Sequence, residues 1–246
     1  MKKVYFNKLS EQSNLLKESL RSIRTNLQFS GDDVKVILFT SVAPDEGKSQ
    51  LSFDIARSLV ENGKKVLFID TDIRKSVHVS RLGVKTKDGS PILGLSHYLS
   101  GQSEINSVKY ATHIPGLSVI FSGPVVPNAT ELLDSNKYRT LIKTVRKQFD
   151  YVIVDSPPIS VAVDASLIAD SCDGVVLIIV PEENSVNFIR RTINQLKVSG
   201  TKILGVVLNK VQMKKNSYYG KYYGSYYGKY YGSYYGKYYG RENEKE

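Results

Sequence analysis

The chain has a single cysteine, Cys172, and only three histidines, His78, His97 and His113, widely separated in sequence. A lone thiol excludes an internal disulfide and suits a reducing compartment. Within "LIADSCDGVVLII" it reads as a small core residue. Histidines with neither cysteine neighbours nor short mutual spacing form no metal-ligand motif, so all three read as isolated surface or core side chains. No apolar run reaches the about 18 residues needed to cross a bilayer. The opening "MKKVYFNKLSEQ" turns polar at once and lacks the apolar stretch of a signal peptide. These absences point to a cytoplasmic chain without a membrane span.

Acidic residues are outnumbered, 24 Asp and Glu against 34 Lys and Arg, for a net charge of +10. The basic residues are dispersed along the chain, with no zinc-finger, basic-zipper or RNA-recognition pattern. Nucleic acid is therefore not expected as a partner. The charge is read instead as suiting acidic lipid or polyphosphate ligands.

What is present begins with 246 residues and 41% apolar content, enough for one domain with a real core plus a tail. From Glu11 to Gln28, Leu16, Leu20, Ile23 and Leu27 recur at helical spacing and make one apolar stripe. Short apolar runs at 34–40, 65–70, 117–121, 151–155, 175–180 and 203–209 read as buried strands. An amphipathic helix carrying Leu51, Ile55 and Leu59 should stop at Asn62-Gly63. Further helical segments are expected over 131–149 and 187–198. Nearly continuous apolar strands alternating with helices predict an α/β fold, a mainly parallel sheet covered by helices on both faces. Ligands of such sheets bind at the carboxyl ends of the strands, where Thr40, Asp70, Asp155 and Asn209 should lie.

The loop "SVAPDEGKS" (41–49) falls between a strand and a helix, the context that a phosphate-binding P-loop requires. The backbone of Ala43, Pro44, Asp45, Glu46, Gly47, Lys48, Ser49 and Gln50 is the candidate to wrap the phosphates at a helix N-terminus, every residue but Pro44 offering an N–H. Lys48 would reach the β- and γ-phosphates, and the Ser49 hydroxyl would take a Mg²⁺ position. The first glycine of the usual G-x4-G-K-[ST] pattern is replaced by Val42. Two strand ends add acids: "VLFIDTDIR" carries Asp70, Asp72 and Arg74, and "YVIVDSPP" carries Asp155. Each could be a turn or capping residue, but beside a P-loop carboxylates hold Mg²⁺, usually through its waters.

The P-loop, "IDTDIR" as a second acidic motif and "VIVDSPP" as Walker B together resemble the bacterial tyrosine kinases of capsule and exopolysaccharide synthesis. The likeness covers most of residues 10–212 and includes "SGPVVPNATELLDS" (122–135) and the spacing of Glu18, Arg21 and Arg24. The partition and septum-site ATPases are related, but their signature lysine is here Ala43, which favours a kinase. The eukaryotic kinase motifs are absent. The resemblance implies ATP and Mg²⁺ as cofactors, with Asp72 and Asp155 on the metal and Lys48 and Ser49 on phosphate and metal. It implies Asp70 as the base for the incoming tyrosine, a role that Asp72 could exchange with it, and Asn209 as the adenine contact. It also implies a kinase domain over 1–212, a transmembrane polysaccharide adaptor as activator, an opposing phosphotyrosine phosphatase, and a place at the inner face of the cell membrane.

Two features complete the reading. On a helical wheel Glu18, Arg21 and Arg24 lie off the apolar stripe, either as a solvated face with an i,i+3 pair or as a head-to-tail contact that closes into a ring homo-oligomer. Residues 213–246 carry no aliphatic pattern beyond Met213 and are expected to form a disordered tail. It holds twelve of the seventeen tyrosines: Tyr218, Tyr219, Tyr222, Tyr223, Tyr226, Tyr227, Tyr230, Tyr231, Tyr234, Tyr235, Tyr238 and Tyr239. These are the expected phosphoacceptors, modified in cis or in trans, the ring favouring trans. The competing reading is a sticky tract of Tyr and Lys that associates through cation–π contacts. A switch ATPase with the tail as tether is the other alternative.

Overall fold

The computed structural model describes residues 2–161, 163–198 and 200–211. The tyrosine cluster, and the tail boundary expected after residue 212, lie outside the described residues. In chain order the elements are β1 (Lys3–Phe6), α1 (Asn14–Gln28), β2 (Val36–Ser41), α2 (Lys48–Glu61), β3 (Val66–Asp70), α3 (His78–Leu82), β4 (Val84–Thr86), α4 (Leu95–Leu99) and α5 (Ile105–Val108). They continue with β5 (Lys109–Thr112), β6 (Leu117–Ile120), α6 (Ala129–Leu133), α7 (Asn136–Arg146), β7 (Tyr151–Asp155), α8 (Asp164–Ala169), β8 (Gly174–Ile179), α9 (Val186–Val198) and β9 (Ile203–Leu208). All of them belong to one compact unit, Met1–Asn209.

The strands form one sheet in the order β4-β1-β5-β6-β3-β7-β2-β8-β9. From β6 to β9 every neighbouring pair is parallel, whereas β1 with β4 and β5 with β6 are antiparallel. The expected mainly parallel sheet is thus present, with a mixed edge added by three short strands that their length concealed in the sequence. Residues of a strand point alternately to its two faces, and in β2, β3, β7 and β8 both faces are apolar and buried. By contrast β9, expected to be buried, is an edge strand that leaves Val206 and Leu208 exposed. Val36, Leu38, Leu67, Ile69, Val152, Val154, Val175 and Leu177 enter one core, closed by α7, α8 and α9 through Leu141, Ile142, Ile168 and Leu196. Ile37, Phe39, Val66, Phe68, Ile153, Val176 and Ile178 enter the other, closed by α1 and α2 through Leu20, Leu27, Leu51, Ile55 and Leu59. Each such side chain contributes about 1.5–3 kcal/mol by leaving water.

Local chemistry sets the helix limits. The Ser13 hydroxyl accepts from Leu16 N, so α1 starts at Asn14 rather than at Glu11. α2 ends at Asn62-Gly63, where Gly63 has φ 76°, as the sequence suggests. The single helix expected over 131–149 is two helices. Asp134 and Ser135 interrupt it, and the Ser135 hydroxyl caps α7 by accepting from Tyr138 N.

Because β7 inserts between β2 and β3, three strand ends meet. Asp155 pairs in register with Phe39 on one side and with Asp70 on the other. This juxtaposition places the Asp155 end of β7 between the P-loop that follows β2 and the acidic motif that ends β3.

Candidate active site

The loop after β2 turns through two left-handed residues, Asp45 (φ 61°) and Gly47 (φ 85°), before entering α2. A side chain on Gly47 would also collide with the Asn209 amide, so glycine is needed there twice over. Val42, where the usual motif has its first glycine, is fully buried in the core and not left-handed. The loop is fastened by Glu46, itself fully buried. One carboxylate oxygen accepts from Ala43 N at 2.8 Å. The other accepts from Asn184 Nδ2 at 2.8 Å and Val180 N at 3.3 Å. Asn209 Nδ2 donates to the Glu46 carbonyl at 2.8 Å. Sequence reasoning had assigned Glu46 only its place in the loop; two of its carboxylate partners, Val180 and Asn184, lie more than 130 residues away.

Lys48 and Ser49 open α2. Lys48 Nζ donates to Ser49 Oγ at 2.8 Å and stands 4.0 Å from both Asp72 Oδ2 and Asp155 Oδ2. Each oxygen of the Asp155 carboxylate has a side-chain partner: Oδ1 accepts from the Ser52 hydroxyl at 3.1 Å, and Oδ2 lies 2.9 Å from His78 Nε2. Asp70 accepts from Asp72 N at 3.1 Å and from the Ser76 hydroxyl. Asp72 accepts from Lys75 N at 2.8 Å and Arg74 N at 3.3 Å. The structure therefore brings Lys48, Ser49, Asp70, Asp72 and Asp155 together at one edge of the sheet. Oxygen donors from Ser49, Asp72 and Asp155, with one lysine facing two of the acids, suit a hard divalent cation.

The reading of all three histidines as isolated is corrected for His78. Asp70, His78 and Asp155 present ligand atoms within 4.8 Å of one another, all buried. The eight-residue separation from Asp70 matches no metal-ligand motif, and only the turn before α3 folds the imidazole back over the strand ends. His97 and His113 lie elsewhere: His97 Nδ1 accepts from Gly94 N, and His113 Nδ1 from Phe6 N.

Asp70 and Asp155 are equally buried yet driven in opposite directions. Burial raises the Asp70 carboxyl above its ordinary value, and the neighbouring charges of Asp155 and Asp72 add to this against the lowering by His78 and Ser76. Burial pushes Asp155 up as well, but Lys48, His78 and Ser49 together outweigh it and hold the group below the ordinary value. The arrangement sets a carboxyl with enhanced proton affinity beside one whose ionised form is favoured.

The remaining candidates are spread more widely. The Gln50 side chain turns away to Asp54 Oδ2 at 2.6 Å. Arg74 leaves the site to pair with the buried Asp164 at 2.6 Å and with the Thr130 hydroxyl at 2.7 Å. On α1, Glu18 and Arg21 pair with each other on the surface. Arg24 instead donates to the Ser58 carbonyl of α2 at 2.9 Å, within its own chain.

The chain matches a family model described as an AAA domain over residues 34–206. It is 40% identical over 215 residues to tyrosine-protein kinase CpsD of Streptococcus agalactiae, covering 85% of this chain and 92% of that protein. It is 43% identical over 217 residues to CpsD of Streptococcus pneumoniae serotype 4, covering 88% and 91%. Among solved structures, the chimerical protein CapA2B2 superposes with a TM-score of 0.74 at 32% identity, over 81% of this chain and 86% of that one. The kinase domain of Escherichia coli tyrosine kinase ETK gives 0.72 at 30% identity, over 82% and 80%. Among the described residues, no helix is long and apolar enough to cross a membrane.

Proposed function

The chain belongs to the bacterial tyrosine-protein kinases, and we propose that it transfers the γ-phosphoryl group of ATP to the tyrosines of its own C-terminal cluster. The observation that carries this reading is the meeting of Lys48, Ser49, Asp70, Asp72 and Asp155 at the ends of β2, β3 and β7, in a chain whose residues 218–240 hold six Tyr-Tyr-Gly units.

In this reading the backbone of 43–50 cradles the phosphates, and Asn209, already bonded to the loop, borders the adenine. Lys48 neutralises charge on the β- and γ-phosphates. Mg²⁺, held by Ser49, Asp72 and Asp155, supplies further charge neutralisation when bound. The tyrosine oxygen forms its bond to the γ-phosphorus as the bond from that phosphorus to the β-bridging oxygen breaks. The phenolic proton passes to Asp70, and ADP leaves. Phosphoryl transfer depends mostly on positioning and charge stabilisation, so a buried carboxylate of raised proton affinity serves by aligning the hydroxyl and accepting its proton.

The tail suits such a site as substrate. A glycine follows each tyrosine pair, and the basic spacers complement an acidic, ATP-loaded cleft. In the same reading these tyrosines are presented to a neighbouring subunit in a ring built through Glu18, Arg21 and Arg24. The same reading assigns a transmembrane adaptor as activator, a phosphotyrosine phosphatase as antagonist, a membrane-proximal cytoplasmic location, and a regulatory role in capsule or exopolysaccharide synthesis and export.

The test is to incubate the purified protein with Mg-ATP, with and without the adaptor's cytoplasmic peptide, and map phosphotyrosine by mass spectrometry. Labels are expected on Tyr218–Tyr239. Phosphate release without label would instead identify a switch ATPase, and neither product would identify a binding protein. A mixture of Lys48→Met protein with protein lacking the tail tyrosines decides between routes. Transfer in trans labels the Lys48→Met tail, whereas transfer in cis leaves the mixture blank.

A further inference from the structure

The phosphate-transfer reading gives no task to His78, although its imidazole lies among the buried acids. Its Nε2 is 2.9 Å from Asp155 Oδ2, and its Nδ1 is 3.3 Å from a guanidinium nitrogen of Arg81. A guanidinium has only N–H donors, so Nδ1 must be the accepting nitrogen. The imidazole proton is thereby placed on Nε2, which donates to Asp155. The ring has little freedom to do otherwise. It is 1% exposed, packs edge-to-face on Phe68 with centroids 4.8 Å apart, and lies 6.3 Å from the Phe53 ring.

Two roles are open to an imidazole in this position, and the Arg81 contact separates them. A nitrogen ligand for a cation would need Nε2 free of its proton. Nδ1 would then carry the proton and face the Arg81 N–H, setting two donors against each other in a buried place. A support for Asp155 needs the tautomer that Arg81 already imposes. Arg81 also donates to the Ser49 carbonyl at 2.9 Å, so α3 braces both the serine and the aspartate assigned to the metal.

We propose that His78 is a positioning residue for phosphoryl transfer, its Nε2–H holding the Asp155 carboxylate for Mg²⁺ while Arg81 fixes the tautomer that makes this possible. The proposal rests on the assignment of Asp155 to Mg²⁺ made above. Outer partners of metal-binding groups are worth about 10–100-fold in metal affinity, and the effect of removing His78 belongs in that range.

ADP affinity measured by calorimetry on the full chain, with Mg²⁺ and with EDTA, tests it without relying on turnover. His78→Phe should weaken Mg²⁺-dependent ADP binding about 10–100-fold and leave binding in EDTA unchanged. His78→Gln, whose amide offers an N–H near the same place, should recover most of the loss. Wild-type Mg²⁺ dependence in His78→Phe overturns the proposal, and so does an equal loss in EDTA, which marks a merely structural role. If wild-type ADP affinity is the same with Mg²⁺ as with EDTA, the metal assignment itself fails and the proposal falls with it. Should His78→Phe not fold, ¹⁵N spectra of histidine-labelled wild-type protein decide: protonation at Nε2 of His78 is expected, and protonation at Nδ1 overturns the proposal.

Discussion

The strand ends and the outward face of α1 are both rich in charge, but they hold it under different physical terms. Asp70 and Asp155 are fully buried and His78 nearly so, each tied to partners at the site. Glu18 and Arg21 pair with each other while their side chains remain 46% and 58% exposed. A buried charge costs several kcal/mol unless paired and hydrogen-bonded, so its retention calls for compensation that a single chain reveals. An exposed pair costs almost nothing and is worth ~0–1 kcal/mol. What such a face does can be learned only from a second copy of the chain. Arg24 stands between the two cases, sharing the helix of the exposed pair but bonded inward to α2.

Substitutions at both places should widen this contrast. The largest effect is expected from Lys48→Met, which removes the phosphate cation and should lower tail labelling by about 10²–10³-fold, read as the rate of phosphotyrosine appearance. Labelling at the wild-type rate would put the phosphate site elsewhere. Next comes Glu46→Ala, which removes the acceptor of the buried Val180 N and of the partly buried Ala43 N and Asn184 amide. A loss of about 2–3 kcal/mol in denaturant unfolding is expected, together with weaker ADP binding. A change below the error of the measurement would show that the loop holds its shape without Glu46.

Smaller effects belong to α1. Arg24→Ala should cost about 1–2 kcal/mol in denaturant unfolding through loss of its bond to the Ser58 carbonyl. Replacing Glu18 and Arg21 together by Ala should change stability by no more than about 0.5 kcal/mol yet reduce the oligomer seen by light scattering to monomer. A double variant that keeps the wild-type oligomer would return this face to ordinary solvated surface. Using the double variant separates assembly from folding, which a triple change including Arg24 would confound.

The same contrast explains how much could be read in advance. The core strands were visible because β2, β3, β7 and β8 are apolar on both faces and leave a continuous run in sequence. Lys48, Ser49, Asp70, Asp72 and Asp155 were visible because each follows such a run at a spacing tied to phosphate chemistry. β1, β4 and β5 were missed, being three or four residues long and edge-bound, with too little pattern to register. The break between α6 and α7 was missed because Leu132, Leu133 and Leu141 keep an apolar signal across it; Ser135 was the available clue, as an N-cap residue. His78 and the clamp around Glu46 depend on contacts between residues 77 to 138 positions apart, and no local pattern records such contacts.

The central claim is that the buried strand-end set transfers phosphate to tyrosine rather than to water. Its most direct test is the ratio of products when the full chain is incubated with Mg-ATP: ADP by chromatography, phosphotyrosine by quantitative mass spectrometry, free phosphate by a coupled assay. The account predicts phosphotyrosine accumulating in step with ADP until the tail cluster is filled, with little free phosphate. ADP and free phosphate rising together with no phosphotyrosine on residues 218–239 would contradict it.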